Sequence, residues 1–215
     1  TAATMNKYTS LTACLTLLLF ACASLGSACE EAVKSNVSYS SVTALNFNKA
    51  KAKLVYGVDN PALQYGLLWL PDKLVAGQKA PLIVFIHGGC WLNAYDIQHS
   101  FPLSSALAQA GFAVWSLEYR RTGDAGGGWP GSFADVRQGL AFASSLNEYP
   151  LDLDRIVVMG HSAGGHLALL AASANPGVQA VIGLAAITDI IEYSRGTNDC
   201  QTATIGFMGG DYAAN

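Results

Sequence analysis

The tightest constraint on this chain is the apolar run Leu82-Ile83-Val84-Phe85-Ile86, opened by Pro81 and closed by His87-Gly88-Gly89. A run rich in β-branched residues with no polar alternation has no face to offer water. It reads as a strand covered on both sides, and such strands belong to parallel sheets with helices packed on each face. Composition agrees with a packed domain. Of the 215 residues, 51% are hydrophobic and 13% charged, which excludes a disordered tail. The net charge of −3 gives no electrostatic case for nucleic acid. The 22 glycines follow no fixed period, so a collagen-like repeat is excluded.

Strand and helix signals alternate along the chain. Residues 53–58 and 64–70 read as short strands separated by the turn signal Asp59-Asn60-Pro61. After the run at 82–86, residues 103–109 show helical spacing and stop at Gly111, and 112–117 form another strand. Ser132 is expected to cap a helix presenting Val136, Leu140 and Ala143, with Asp135 near its positive end. A strand at 155–159, an apolar helix at 163–173 and a buried strand at 178–186 follow. Residues 206–215 show no helix cap. The pattern predicts an α/β domain with a mostly parallel sheet and helices on both faces.

The N-terminus reads as a targeting segment. Thr1 to Thr4 precede Met5 as upstream residues, Lys7 gives a positive start, and 11–23 form an apolar stretch followed by small residues. The stretch is too short for a stable membrane span. Cleavage after Ala23 or Ala28 fits the small-residue rule, which makes the product exported, either periplasmic or secreted. Leu19-Phe20-Ala21-Cys22 is similar to a lipoprotein box, so membrane attachment is expected only if Cys22 is lipidated. The expected division is 1–28 signal peptide with upstream residues, 29–52 lead-in and 53–215 domain. Cys90 and Cys200 lie deep in the domain. In an oxidising compartment they either pair or stand as two separate small apolar side chains.

Two segments carry chemistry. Gly160-His161-Ser162-Ala163-Gly164 is a G-x-S-x-G elbow between a predicted strand and a predicted helix. Ser162 is expected on a sharp turn that projects its hydroxyl out of the sheet, and side chains at 160 and 164 would collide with backbone. The bland alternative is an ordinary helix N-cap. His87-Gly88-Gly89-Cys90-Trp91 follows the buried strand. Its glycines allow backbone N–H groups to approach a ligand. One donor from Gly88 or Gly89 and one from Ala163 would make an oxyanion hole. His87, Trp91 and His161 are candidate pocket residues, with Tyr95 and Trp129 as further aromatic wall. Arg120, Arg121 and Asp135 read as structural pairs. The glycines at 126–128 lack the Lys-Ser/Thr of a phosphate loop and read as a helix-capping loop.

On these two segments the chain resembles the α/β-hydrolase superfamily, in the branch of HGG-type esterases and lipases similar to hormone-sensitive lipase or to kynurenine formamidase. The resemblance covers about residues 53–210. It implies the hydrolase fold with Ser162 as nucleophile and cleavage of a small-molecule ester or amide through an acyl-enzyme. It implies no metal or organic cofactor. In that family the acid and then the histidine base follow the serine. Only residues 163–215 follow Ser162, and their one histidine, His166, is a single helical turn away, where it is expected to pack against the sheet. His99 is expected to be solvated. Asp189 follows the strand before the usual one. The expectation is a piece of an exported esterase whose last strands, acid and base are missing, inactive alone, with its sheet ending on an exposed edge at 178–186. An arylformamidase-like amidase and a non-catalytic hydrolase-fold binding protein are the alternatives.

Overall fold

The computed structural model describes residues 39–210. The leader, Cys22 and the final residues 211–215 lie outside them. Two compact units divide the chain, Thr1–Ser41 and Val42–Asn215, and the fold from β1 onward is that of the second. A short helix, α1 (Tyr39–Thr43), precedes β1 (Ala52–Val55), β2 (Tyr65–Trp69) and β3 (Ala80–Ile86). A 3-10 turn (Ile97–Ser100) leads into α2 (Phe101–Gln109) and β4 (Ala113–Leu117). Then come α3 (Gly131–Phe142), β5 (Leu151–His161), α4 (Ala163–Ser173) and β6 (Ala180–Leu184), followed by α5 (Ile190–Ser194) and α6 (Asp199–Met208).

The six strands form one sheet in the order β1-β2-β4-β3-β5-β6. β1, β2 and β4 pair antiparallel, whereas β4, β3, β5 and β6 run parallel. The apolar run becomes β3 at the centre. Leu82, Val84 and Ile86 join the larger core with Val136, Leu140, Leu167 and Ala171 from α3 and α4. Ile83 and Phe85 point the other way, into a second cluster with Ala108 of α2. Two covered faces explain why β3 has no polar alternation. Each such side chain contributes about 1.5–3 kcal/mol by leaving water. This is the mostly parallel sheet with helices on both faces that the sequence predicts.

The topology also says where a site belongs. The chain leaves β3 for β4 on one side, then crosses to β5 on the other. The strand order reverses at β3, the kind of switch point beside which α/β sheets bind ligands at the carboxyl ends of their strands. The loops after β3 and β5 leave the sheet at that end, and they are the two segments that carry the chemistry.

Three local expectations are corrected. Ser132 is not the cap of α3. It sits inside the first turn, where its hydroxyl donates to the Arg120 carbonyl (2.6 Å) and accepts from the Gly128 N–H (3.1 Å). Asp135 does not serve the helix end but is buried, 2.6 Å from the Arg120 guanidinium. The run 178–186 gives β6, but its side chains are largely exposed, Ile182 by 41%. β6 is an edge strand among the described residues, and it lacks the second cover that its composition suits.

The C-terminal helices escape the apolar periodicity. Their signals are local. Asn198 and Gln201 form a capping box, and Gly209 ends α6 in the left-handed conformation (φ 79°). The expectation of no cap over 206–215 is therefore overturned at Gly209.

Candidate active site

Ser162 stands between the last residue of β5 and the first of α4, with φ 53° and ψ −120°. A positive φ in a non-glycine residue stores about 1–3 kcal/mol and persists only where the surroundings enforce it. Here the surroundings are glycine contacts. A Cβ on Gly164 would run into the carbonyls of Ile86 and His87, and one on Gly160 into the carbonyl of Gly164. The first turn of α4 thus presses against the end of β3. The Ser162 N–H donates to Leu184 (2.9 Å), which ties the turn to β6. The Ser162 hydroxyl makes no capping bond to α4, so the N-cap alternative finds no hydrogen bond to support it.

The loop after β3 faces this turn. A Cβ on Gly88 would lie 2.7 Å from the His161 carbonyl and 3.2 Å from the Ser162 Cβ. Gly89 has φ 116° and is overlaid by Tyr95, whose side chain stays 44% exposed. Cys90 and Trp91 continue the loop with φ 55° and 57°. Ala163 is fully buried beneath the serine. The expected nucleophile and oxyanion residues therefore lie together at the carboxyl ends of β3 and β5.

Two of the three expected pocket residues prove to be structural. His87 is fully buried. Its Nδ1 lies 2.8 Å from the Gly88 carbonyl oxygen and its Nε2 lies 3.0 Å from the Glu118 carboxylate. Its ring stacks on Tyr119, and the Tyr119 hydroxyl donates to the His87 carbonyl (2.8 Å). Burial, then the nearby Glu118 charge, hold the Tyr119 pKa far above the phenol range, so it remains a donor. Trp91 is also fully buried, stacked on Phe207 at 4.9 Å. His161 alone of the three is exposed, and partial desolvation lowers its pKa.

The other histidines are also repositioned. His99 is half-buried rather than solvated, with its ring against His87 and His161. Burial and then those two neighbours push its pKa down to about 4. His166 is 9% exposed and lies edge-on to Trp91 and Phe207 rather than against the sheet. Burial pushes its pKa down to about 4, and its Nδ1 has no hydrogen-bond partner.

Sequence reasoning missed Glu118. Its buried carboxylate accepts from the N–H groups of Ile97 and Tyr119 (both 3.0 Å) and pairs with Arg121 (3.1 Å). Arg121 in turn donates to the Tyr95 carbonyl. One carboxylate thus fixes His87, the 3-10 turn and the residue over Gly89. The available signal was an acidic residue directly after the apolar strand β4, at the same sheet edge as His87. Cys90 and Cys200, left open by sequence, form a disulfide with 4.8 Å between Cα atoms. Among the described residues, no group of three or more His, Cys, Asp or Glu side chains is arranged to hold a metal ion.

The model of the BD-FAE family matches residues 68–215. Esterase LipQ of Mycobacterium tuberculosis is 33% identical over 110 residues, which are 50% of this chain and 26% of LipQ. Isoprenylcysteine alpha-carbonyl methylesterase ICME of Arabidopsis thaliana is 33% identical over 124 residues, 57% of this chain and 27% of that protein. Among solved structures, esterase B from Lactobacillus rhamnosis superposes with a TM-score of 0.65 at 22% identity, covering 94% of this chain and 67% of that one. A bacterial heroin esterase gives 0.64 at 22% identity, covering 80% and 59%. The chain thus spans only about a quarter of the length of the curated relatives it matches.

Proposed function

The chain belongs to the BD-FAE family, and from that premise we propose that it carries the nucleophile half of a serine hydrolase of the carboxylic ester class. Ser162 Oγ attacks the ester carbonyl carbon. The carbonyl oxygen takes the negative charge and is held by the N–H of Ala163 and that of Gly88 or Gly89. The C–O bond to the alcohol breaks, and the alcohol leaves with the proton that Ser162 gave up. Water then attacks the acyl-Ser162 ester and releases the carboxylic acid. The general base and its orienting acid are assigned to polypeptide outside the described residues. His87 is bonded through both ring nitrogens, and His166 is enclosed by Trp91 and Phe207.

The observation that carries this reading is the backbone of Ser162, held at φ 53° against Gly88 with a hydroxyl that caps nothing. A serine placed only for stability would not be kept in that conformation. The esterase names of the relatives support the ester as substrate class.

A fluorophosphonate probe on the full-length gene product tests it. Labelling that maps to Ser162, with hydrolysis of p-nitrophenyl butyrate that disappears in Ser162→Ala, is expected. No labelling of folded protein would overturn the proposal and favour a binding role. The 215-residue chain alone is expected to be inactive. Export belongs to the same proposal, and N-terminal sequencing of the mature protein tests it, with Ser24 or Cys29 expected first.

A further inference from the structure

The loop from Gly88 to Trp91 does not hold its shape by local bonds alone. Cys90 and Trp91 are consecutive non-glycine residues with positive φ (55° and 57°). Backbone bonds from Leu92 to Gly89 (2.9 Å) and from Thr122 to Trp91 (2.8 Å) close its ends. His166 and Tyr193 meet the Trp91 ring edge-on, and the covalent and stacked support comes from α6. Cys200 is bonded to Cys90, and Phe207 stacks on Trp91 with an interplanar angle of 18°. Cys200, Thr204 and Phe207 follow helical spacing along one face of α6, and Thr204 and Phe207 are fully buried. The opposite side of the helix carries Ile205, which is 48% exposed. One face of α6 therefore grips the two strained residues directly after Gly89, by a covalent bond and by a ring stack.

We infer that the Cys90–Cys200 disulfide is a positioning element for the oxyanion loop: it fixes the backbone at Gly88 and Gly89, and opening it slows attack on the carbonyl while leaving the fold intact. This rests on the proposed serine-hydrolase reading. The fold has its own support in the two cores across the sheet, which α6 enters at its C-terminal end, through Phe207 and Met208. The loop has fewer supports, and oxyanion donors lose effect steeply when displaced. A dithiol opens the bond by giving two electrons and two protons. The S–S bond becomes two thiols, and the dithiol closes to its own disulfide. The activity then depends on the redox poise around the protein.

The test uses the full-length gene product, oxidised, treated with dithiothreitol, and as the Cys90→Ser/Cys200→Ser variant. Hydrogen exchange across residues 87–92 reports the loop whether or not the protein turns over. Near-UV circular dichroism reports the fold, and kcat and KM on p-nitrophenyl butyrate report the chemistry. Expected on reduction are faster exchange at 87–92, kcat lower by about tenfold to a hundredfold, KM little changed and circular dichroism retained. Reoxidation should restore the wild type and not the variant. Unchanged exchange at 87–92, or an unchanged kcat in an active enzyme, would overturn the inference. So would loss of the folded signal, since the bond would then hold the fold rather than the loop. An oxidised wild type that neither labels nor hydrolyses ester would instead sink the serine-hydrolase reading, and the exchange result would stand by itself.

Discussion

Gly88 and Ser162 lie so close that a Cβ on Gly88 would come within 3.2 Å of the Ser162 Cβ and 2.7 Å of the His161 carbonyl oxygen. The glycine leaves the serine open toward the backbone that is proposed to bind the oxyanion. Gly88→Ala is expected to lower kcat by about a hundredfold, the scale of losing one oxyanion donor, with a smaller change in KM. Steady-state kinetics on the full-length protein check this. A KM effect alone would move Gly88 from the oxyanion loop to the binding surface.

The strained serine has a stability counterpart. Glycine adopts positive φ without penalty, so Ser162→Gly should stabilise the fold by about 1 kcal/mol while abolishing ester hydrolysis. For a chain of this size that is a rise in Tm of about 2–4 °C. Thermal unfolding monitored by circular dichroism measures it.

Glu118 is surrounded by donors with almost no water. Glu118→Gln keeps the volume but removes the carboxylate 3.1 Å from the buried Arg121 guanidinium and leaves it only Asp124, at 3.3 Å. Because Asp124 still pairs with Arg121, the cost stays below the roughly 3 kcal/mol of a buried charge left wholly unpaired. Urea unfolding should show a lower midpoint with unchanged slope. His87 and Ile97 meet different oxygens of that carboxylate, and the amide keeps only one of them as an acceptor, so the loop after β3 should also exchange faster.

His166 makes stability depend on pH. Its folded pKa of about 4 lies below the ordinary 6.5, because burial among Trp91 and Phe207 penalises the charged form. The unfolded chain therefore binds the extra proton first. Stability is full above pH 6.5 and falls as pH drops toward 4. The total loss is about 3 kcal/mol at 1.36 kcal/mol per pKa unit. His166→Phe should flatten that part of the pH–stability curve, leaving a remainder from His99, whose pKa is also pushed down to about 4. An unchanged slope would place the linkage elsewhere.

Much of the site was legible because its requirements are local. The sharp turn at Ser162 needs small residues at 160 and 164, and the glycines are in the sequence at those offsets. The apolar run of β3 needs two covers, and α2 on one face with α3 and α4 on the other supply them. What was misread depends on partners far along the chain. His87 and Trp91 look like pocket residues beside the glycines, and only Glu118, Tyr119 and Phe207 draw them inward. Ser132 looks like a cap until Arg120 and Gly128 take its hydroxyl.

The sequence by itself determined the order of strands and helices from β1 to β6, the elbow at Ser162 and the glycines facing it. Each follows from side-chain alternation and backbone sterics that act within a few residues. Only the tertiary structure decided that Cys90 meets Cys200 across a separation of 110 residues, that His166 is closed in by aromatic rings, and that β6 shows its apolar side chains to water. Pairing, burial and exposure are properties of which segments come together. Local propensity carries no information about a partner so distant in the chain.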